Sequence, residues 1–449
     1  MTLLGIAWRN IRQRLLTSLL TALSLALGVA LVVATLVTGG IVKQAFESGS
    51  GLGYNMIVGA KGSPLQLVLN SVYLISRPIE NISWDFYQQF LPAAERPDGV
   101  DGRFAASTKT AVPICMGDYF RGFRVVGTNA AYFDRLTVGS GRPFGFSSGR
   151  NFRDDEYFGG VLGATVAARL GLRVGDPFAP THGADDGKVH DPFTVVGILA
   201  RTDTPVDRGV YVNMEGFYLQ EGHAKPVEGE ADGGGPDGAV PNADGKTFQP
   251  LPFAQREVTA ILVETAALPG LPGMPDLPAE LTAMTLRTAI NEGRDGQAAE
   301  PVREIRQLLD LFVKPLELLL LLITALVVLV SAIGILVSMV GSALERSRDV
   351  AIMRALGARR AHVLAVVLIE AVLLAVGGGL AGWVLGHLLV GAIGPLITTN
   401  AGVSASVLSA APGAELLLVP FLVVLAILAA LLPALAAYRT DVAKWLQNG

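Results

Sequence analysis

By type, the residues best suited to bind a metal or move a proton near neutral pH are His182, His190 and His223, because an imidazole titrates in that range and offers a nitrogen lone pair. Their intervals fit neither the short paired spacing of zinc ligands nor a catalytic triad, and all three stand in loop-like settings flanked by glycine or proline. Asp154, Asp155 and Glu156 form an acidic run without the ligand spacing of a calcium loop, and solvation is its expected state. Gly245-Lys246-Thr247 has the ending of a phosphate-binding loop, but Val240 stands where the first glycine belongs and no strand precedes it. Cys115 is the only cysteine, so no intrachain disulfide or thiolate metal cluster can form, and it is expected to fill space as a small buried apolar residue. These readings assign no catalytic, cofactor-binding or metal residue, and the chain is expected not to be an enzyme.

Recognition chemistry is written instead between Glu345 and Ala371, in the run ERSRDVAIMRALGARRAHVLAVVLIEA. It separates two apolar runs, Leu318 to Leu344 and Val363 onward, so it emerges at a membrane surface, and its arginines mark that surface as cytoplasmic. Val350, Ile352, Met353 and Leu356 would form an apolar stripe on a short helix, with Gly357 suited to end it in the left-handed conformation. A greasy face with a charged rim fits a groove on a partner. A plain helical hairpin between two spans would also be basic on its cytoplasmic side.

The elements that must hold this loop are membrane helices. Of the 449 residues, 51% are hydrophobic, and the mean hydropathy of +0.47 exceeds soluble composition. A net charge of -4 leaves no basic surface for nucleic acid. Arg9, Arg12 and Arg14 precede a run from Leu15 to Val42 without charge, too long for a signal-peptide core and therefore read as an uncleaved first span with its amino terminus inside. Ser18, Ala22, Ala26, Ala30, Ala34 and Thr38 recur along it every fourth residue, as do Gly378, Gly382 and Gly386 in the span after the loop. Small residues at this spacing let helices approach closely. Glu370 is an intramembrane carboxylate near the cytoplasmic end of that span, within reach of Arg359 or Arg360, and a structural or coupling role is expected for it. Leu416 to Tyr438 forms a fourth span bent by Pro420 and Pro433, and Arg439 and Lys444 return the carboxyl terminus to the cytoplasm.

Between Lys43 and Lys314 no apolar run is long enough to cross, and if the first span runs outward this whole block is extracytoplasmic. Short β-rich runs at Met56 to Gly59, Thr110 to Met116, Phe123 to Gly127, Phe193 to Ala200, Gly209 to Val212 and Val258 to Glu264, with a brief helix over Gly163 to Leu172, predict an α+β domain. Gly51 to Pro78 mixes apolar and aromatic residues and reads as the first strand and helix of that domain, with a membrane-proximal contact for an apolar substrate as the alternative. Gly222 to Pro252, dense in Gly, Pro and Asp, reads as a mobile insert, and Leu268 to Pro278 as a smaller one. Pro301 to Lys314 reads as an amphipathic helix leading into the second span, a mechanical link between the two parts.

The string ERSRDVAIMRALGA resembles the loop of FtsX-like permeases of bacterial ABC transporters. VLGATVAARLGLRVGDPF followed by FTVVGILA resembles, more loosely, the periplasmic core of MacB-type permeases. The resemblance implies a membrane α-helical protein of four transmembrane helices with a large α+β extracytoplasmic domain inserted after the first. Its parts would be 1–42, the amino terminus and first span; 43–314, the external domain with the flexible insert 222–252; and 315–449, the permease domain with three spans. It implies a coupling loop formed by Glu345, Arg346, Arg348, Asp349, Ile352, Met353, Arg354, Leu356 and Gly357, which docks on a separate cytoplasmic ABC ATPase that binds the ATP. The expected setting is the bacterial inner membrane with both termini inside, as a homodimer in lipid, with a periplasmic adaptor or lipoprotein as a further partner. Export or lipoprotein and lipid extrusion is the implied activity. A signalling protein that activates an external cell-wall hydrolase is the alternative, although the division-linked FtsX has a much smaller external domain.

Overall fold

The computed structural model describes residues 2–49, 52–139, 141–183, 188–223, 225, 250–270, 276–345, 358–401 and 418–439. The chain divides into two compact units. One comprises Met1–Lys43, Asp310–Thr398 and Ala405–Gly449, and the other Gln44–Leu309 with Thr399–Ser404.

The first unit is helical. A short amino-terminal helix, Leu3–Gln13, is capped by the Thr2 side chain and breaks at Arg14 before the long helix Leu15–Gly49. The helices Lys314–Glu345, Arg360–Ala401 and Leu418–Arg439 complete the unit. Among the described residues, three helical segments are long and apolar enough to cross a membrane: Leu15–Ile41, Pro301–Gly341 and Arg360–Gly394. The expected fourth, Leu418–Arg439, is one helix running through Pro433, and its described apolar part, Pro420–Leu431, is shorter than the other three. Leu25, Val29, Val33 and Val37 of the first long helix pack with Ala375, Val390, Leu422 and Ala426 in one buried cluster.

The second unit is an α+β domain around a mixed sheet, eleven-stranded among the described residues. Its main path runs 297–299, 56–59, 260–265, 108–120, 123–128, 210–213, 159–162, 193–199, 146–149. Two neighbouring pairs are parallel, 210–213 with 123–128 and 193–199 with 159–162, and the other pairs on the path are antiparallel. The central strands are buried on both faces, which explains why they read as apolar runs instead of alternating. One core includes Phe86, Phe90, Phe178, Phe193 and Phe217, and the other Tyr132, Phe133, Phe152 and Tyr211. The strand expected at Thr110 to Met116 extends over Thr108–Phe120, and the helix expected near Gly163 is Ala164–Leu170, ended by Gly171 at φ +68°.

The insert expected at Gly222 to Pro252 is described only at its ends, and those ends are not idle. Leu251 is buried in the first core, and the Arg256 guanidinium donates to its carbonyl at 2.7 Å. The Gly245-Lys246-Thr247 segment lies outside the described residues. So does the core of the smaller insert, although its flanks Leu268 and Leu277 pair with each other. From Pro301–Leu308 the chain passes through a π-helical turn, Leu309–Val313, directly into Lys314–Glu345. The link expected there is helical throughout and changes its hydrogen-bond register at that turn.

Candidate functional sites

Of the residues expected in the coupling loop, Glu345 is the last residue of the helix Lys314–Glu345. Arg346, Arg348, Asp349, Ile352, Met353, Arg354, Leu356 and Gly357 lie outside the described residues. What is described is the helix that leaves the loop, Arg360–Ala401, and the groove that receives it.

Gly378, Gly382 and Gly386 of that helix face the small-residue stripe of Leu15–Gly49. A methyl group on Gly378 would lie 2.8 Å from the carbonyl oxygen of Ala22, and on Gly382 2.4 Å from that of Ala26. On Gly386 it would meet the Val33 side chain at 2.7 Å and the carbonyl oxygen of Ala30 at 3.0 Å. The two four-residue stripes are therefore partners, each glycine admitting a backbone carbonyl that any side chain would displace. Lower on the same helix Glu370 is buried, and Asn10 of the amino-terminal helix donates to its Oε2 at 3.5 Å. Ile11 packs beside it against a cluster of Met339, Ala371, Leu374 and Ala430. The amino-terminal helix thus closes over the end of the span nearest the loop.

In the α+β unit, three histidines dispersed in sequence converge on one carboxylate. Asp118 lies on the strand Thr108–Phe120, opposite His182 in the short strand Thr181–His182. His190 follows a chain reversal held by hydrogen bonds from the His182 amide to the Lys188 carbonyl and from the His190 amide to the Pro180 carbonyl. His223 comes just after the helix Met214–Tyr218, fastened by its amide to the Gln220 carbonyl, while the Gln220 side chain ties Asp191 at both amide and carbonyl. His223 Nε2 is 3.2 Å from Asp118 Oδ1 and 3.2 Å from His182 Nδ1. His182 Nδ1 is 3.4 Å from Asp118 Oδ1, and His190 Nε2 is 3.4 Å from Asp118 Oδ2. Burial raises the Asp118 carboxyl, but the adjoining His190 and His223 rings outweigh it and hold the group at about 2.

His182 and His223 also line a cavity of about 450 Å³ with Asn81, Tyr218, Lys225 and Glu257. Cys115 borders it, yet its Sγ is buried against the Tyr218 hydroxyl at 3.2 Å, and burial pushes the thiol up to about 12. It packs as the sequence suggests and is unsuited to be a nucleophile. The acidic run is likewise accounted for. Asp154 accepts the Ala130 amide, Asp155 pairs with Arg153, and Glu156 takes both arms of Arg150 at 2.7 and 2.6 Å.

No spacing rule reveals the histidine cluster, because its four members come from separate segments that only the sheet brings together. Sequence spacing offers no metal or triad pattern for these histidines, and the fold nevertheless sets them around one carboxylate.

Two family models match the chain. The FtsX-like permease C-terminal model covers residues 321–442, and the MacB-like periplasmic core domain model covers residues 18–235. Comparison with curated proteins finds no match.

Proposed function

A chain that joins a MacB-like periplasmic core to an FtsX-like permease domain is an ABC permease of the FtsX/MacB type, and on that premise we propose that it converts ATP-driven motion of a cytoplasmic subunit into movement of its external domain. Permeases of this family work with a cytoplasmic ABC ATPase, and the apolar helices fit a multi-pass inner-membrane protein. In the proposed arrangement both termini are cytoplasmic, Leu418–Arg439 is the fourth span, and two copies form the membrane unit. In this reading ATP is bound and hydrolysed by the separate ATPase, and no catalytic role is assigned to this chain. The ATPase grips the loop Glu345 to Gly357, with Met353 and Leu356 seated in its groove and Arg354 at the rim.

The observation that carries this reading is the contact of Gly378, Gly382 and Gly386 with the backbone of the first long helix. A push on the loop enters Arg360–Ala401 at its first turn. Backbone carbonyls and short, stiff side chains in close contact leave little slack to absorb the displacement, so the first helix moves with it. That helix continues to Gly49, past Gln44 where the second unit begins. The second route outward is the helix leading from the loop back to the π-helical turn at Leu309–Val313, a place where register can change. Glu370 and Asn10 fasten the amino-terminal helix to the lever, which supports a structural and coupling role for Glu370 rather than ion passage.

Export or extrusion of a substrate from the outer leaflet or periplasm is the activity this suits. Activation of an external partner by the same motion is the second reading, and both require the glycine contact. The test uses the full chain with Val100→Cys, an exposed external site, labelled with an environment-sensitive dye and reconstituted with its ATPase. ATP is expected to change the dye signal, and Gly382→Val to abolish the change while ATPase binding persists. A full response in the Gly382→Val protein would remove the basis of the proposal.

A further inference from the structure

We propose that Asp118, His182, His190 and His223 form a zinc(II) site in the external domain, open to exchange through the adjoining cavity. The potential donor atoms, one from each residue, all lie within 4.8 Å of one another. His182 Nδ1, His223 Nε2 and Asp118 Oδ1 are 3.2 to 3.4 Å apart, and His190 Nε2 is 3.4 Å from the other carboxylate oxygen, Oδ2. Donors arranged as a tetrahedron about 2.0–2.1 Å from a central ion are about 3.3 Å apart along each edge. The His182, His223 and Asp118 Oδ1 spacing matches one face of a tetrahedral shell, and His190 stands close enough to complete it with a small adjustment.

Hydrogen bonding points the same way. His223 Nδ1 lies 2.7 Å from the Phe217 carbonyl oxygen, where only an N–H donor is favourable. In neutral His223 that places the Nε2 lone pair against the Asp118 carboxylate. Two acceptors facing each other repel, and a cation between them removes the conflict. Anchoring of the second ring nitrogen by a backbone carbonyl is also how metal-binding histidines are held in orientation. A second observation comes from Asp118 and His190, each with a side chain 1% exposed and facing one another at 3.4 Å. Asp118 Oδ2 and His190 Nε2 are both buried and have no hydrogen-bond partner. Two unsatisfied polar atoms in one buried spot cost free energy, and a shared ligand would satisfy both.

The chemistry of the set selects the ion. Three imidazoles and one carboxylate, without thiolate, suit a late first-row divalent cation and not calcium or magnesium, which require oxygen shells. Compact four-coordination favours zinc. The exposure of His182, 41% at the side chain, sets the route of entry, since the other three members are nearly covered. His182 borders the cavity, and displacing this single ligand would open the shell to it. A protonated histidine bound to Asp118 is the competing account, and it predicts no metal stoichiometry.

The experiment uses the full chain in detergent, stripped with EDTA and titrated with zinc against a chromophoric chelator, then with cobalt(II) to read geometry. One zinc per chain and an intense tetrahedral cobalt spectrum are expected. Asp118→Asn and His190→Gln should each weaken zinc by more than the roughly 10–100-fold that loss of an outer-shell partner causes. His182→Gln, at the exposed member, guards against misfolding of the buried variants and should weaken zinc while leaving the metal-free melting temperature unchanged. Absence of stoichiometric zinc, an octahedral cobalt spectrum, or zinc affinity unaltered in His182→Gln and His190→Gln would overturn the assignment.

Discussion

A methyl group placed on Gly382 would stand 2.4 Å from the carbonyl oxygen of Ala26, closer than any real carbon and oxygen rest. The two residues belong to different helices, so a single hydrogen atom at position 382 sets the distance between Arg360–Ala401 and Leu15–Gly49. Gly382→Ala must push these backbones apart. The expected cost is about 1–3 kcal/mol of stability, seen as a lower melting temperature of the detergent-solubilised protein. Gly377→Ala, five residues earlier on the exposed side with open space around it, should leave melting unchanged or slightly raised. Equal effects of the two substitutions would mean the helices do not meet at Gly382.

Much of this interface was legible in sequence, because small residues at four-residue spacing have one economical use in a membrane helix. Both stripes could be read, and only their pairing could not, since nothing in either run names its partner. The strands of the external domain were legible as apolar runs bounded by glycine for the same reason of local pattern. The histidine cluster was not. Asp118 and His223 are 105 positions apart, and pairing of Asp118 with His182 across two strands, with the Gln220 contacts to Asp191 and His223, brings the four residues to the same point. The insert boundary was misread because composition averages over a stretch, while His223 and Leu251 act as individuals at its ends.

That correction sharpens a deletion experiment. The Lys225 amide bonds the Gln255 carbonyl, so the chain on either side of the insert is close together. Replacing Pro226 to Gln249 with a short Gly/Ser linker should leave expression and melting nearly unchanged, because the removed composition cannot build a core. Deleting Gly222 to Pro252 entire should lower melting, since it also removes buried Leu251. Equal loss in both deletions would show that the removed segment packs.

The Arg150 and Glu156 pair gives the external domain a pH dependence of known sign. Hydrogen bonding from Arg150 holds the Glu156 carboxyl at about 2, below its usual value of 4.5. A depressed folded value means that the contribution is fully present above about pH 4.5 and fades as pH falls through about 2. The pair is largely solvated, so its contribution should be small and should shrink in salt. Melting of Glu156→Gln against the parent should show a small deficit at pH 7 that narrows toward pH 2. A deficit that grew on acidification would contradict the assignment.

The central claim is that the loop between the two spans receives the ATPase. If the apolar stripe of that loop fills a groove, Met353→Asp or Leu356→Asp buries an unpaired charge, at about 2 kcal/mol or more. Arg354→Glu at the rim should weaken docking less and in a salt-dependent way. The deciding measurement is co-purification of the ATPase with the solubilised full chain, beside ATP turnover in proteoliposomes. Loss of the ATPase from both aspartate variants, with their external domains still folded, is the predicted result. Undiminished co-purification and unaltered turnover would make the loop a basic hairpin only and contradict the account.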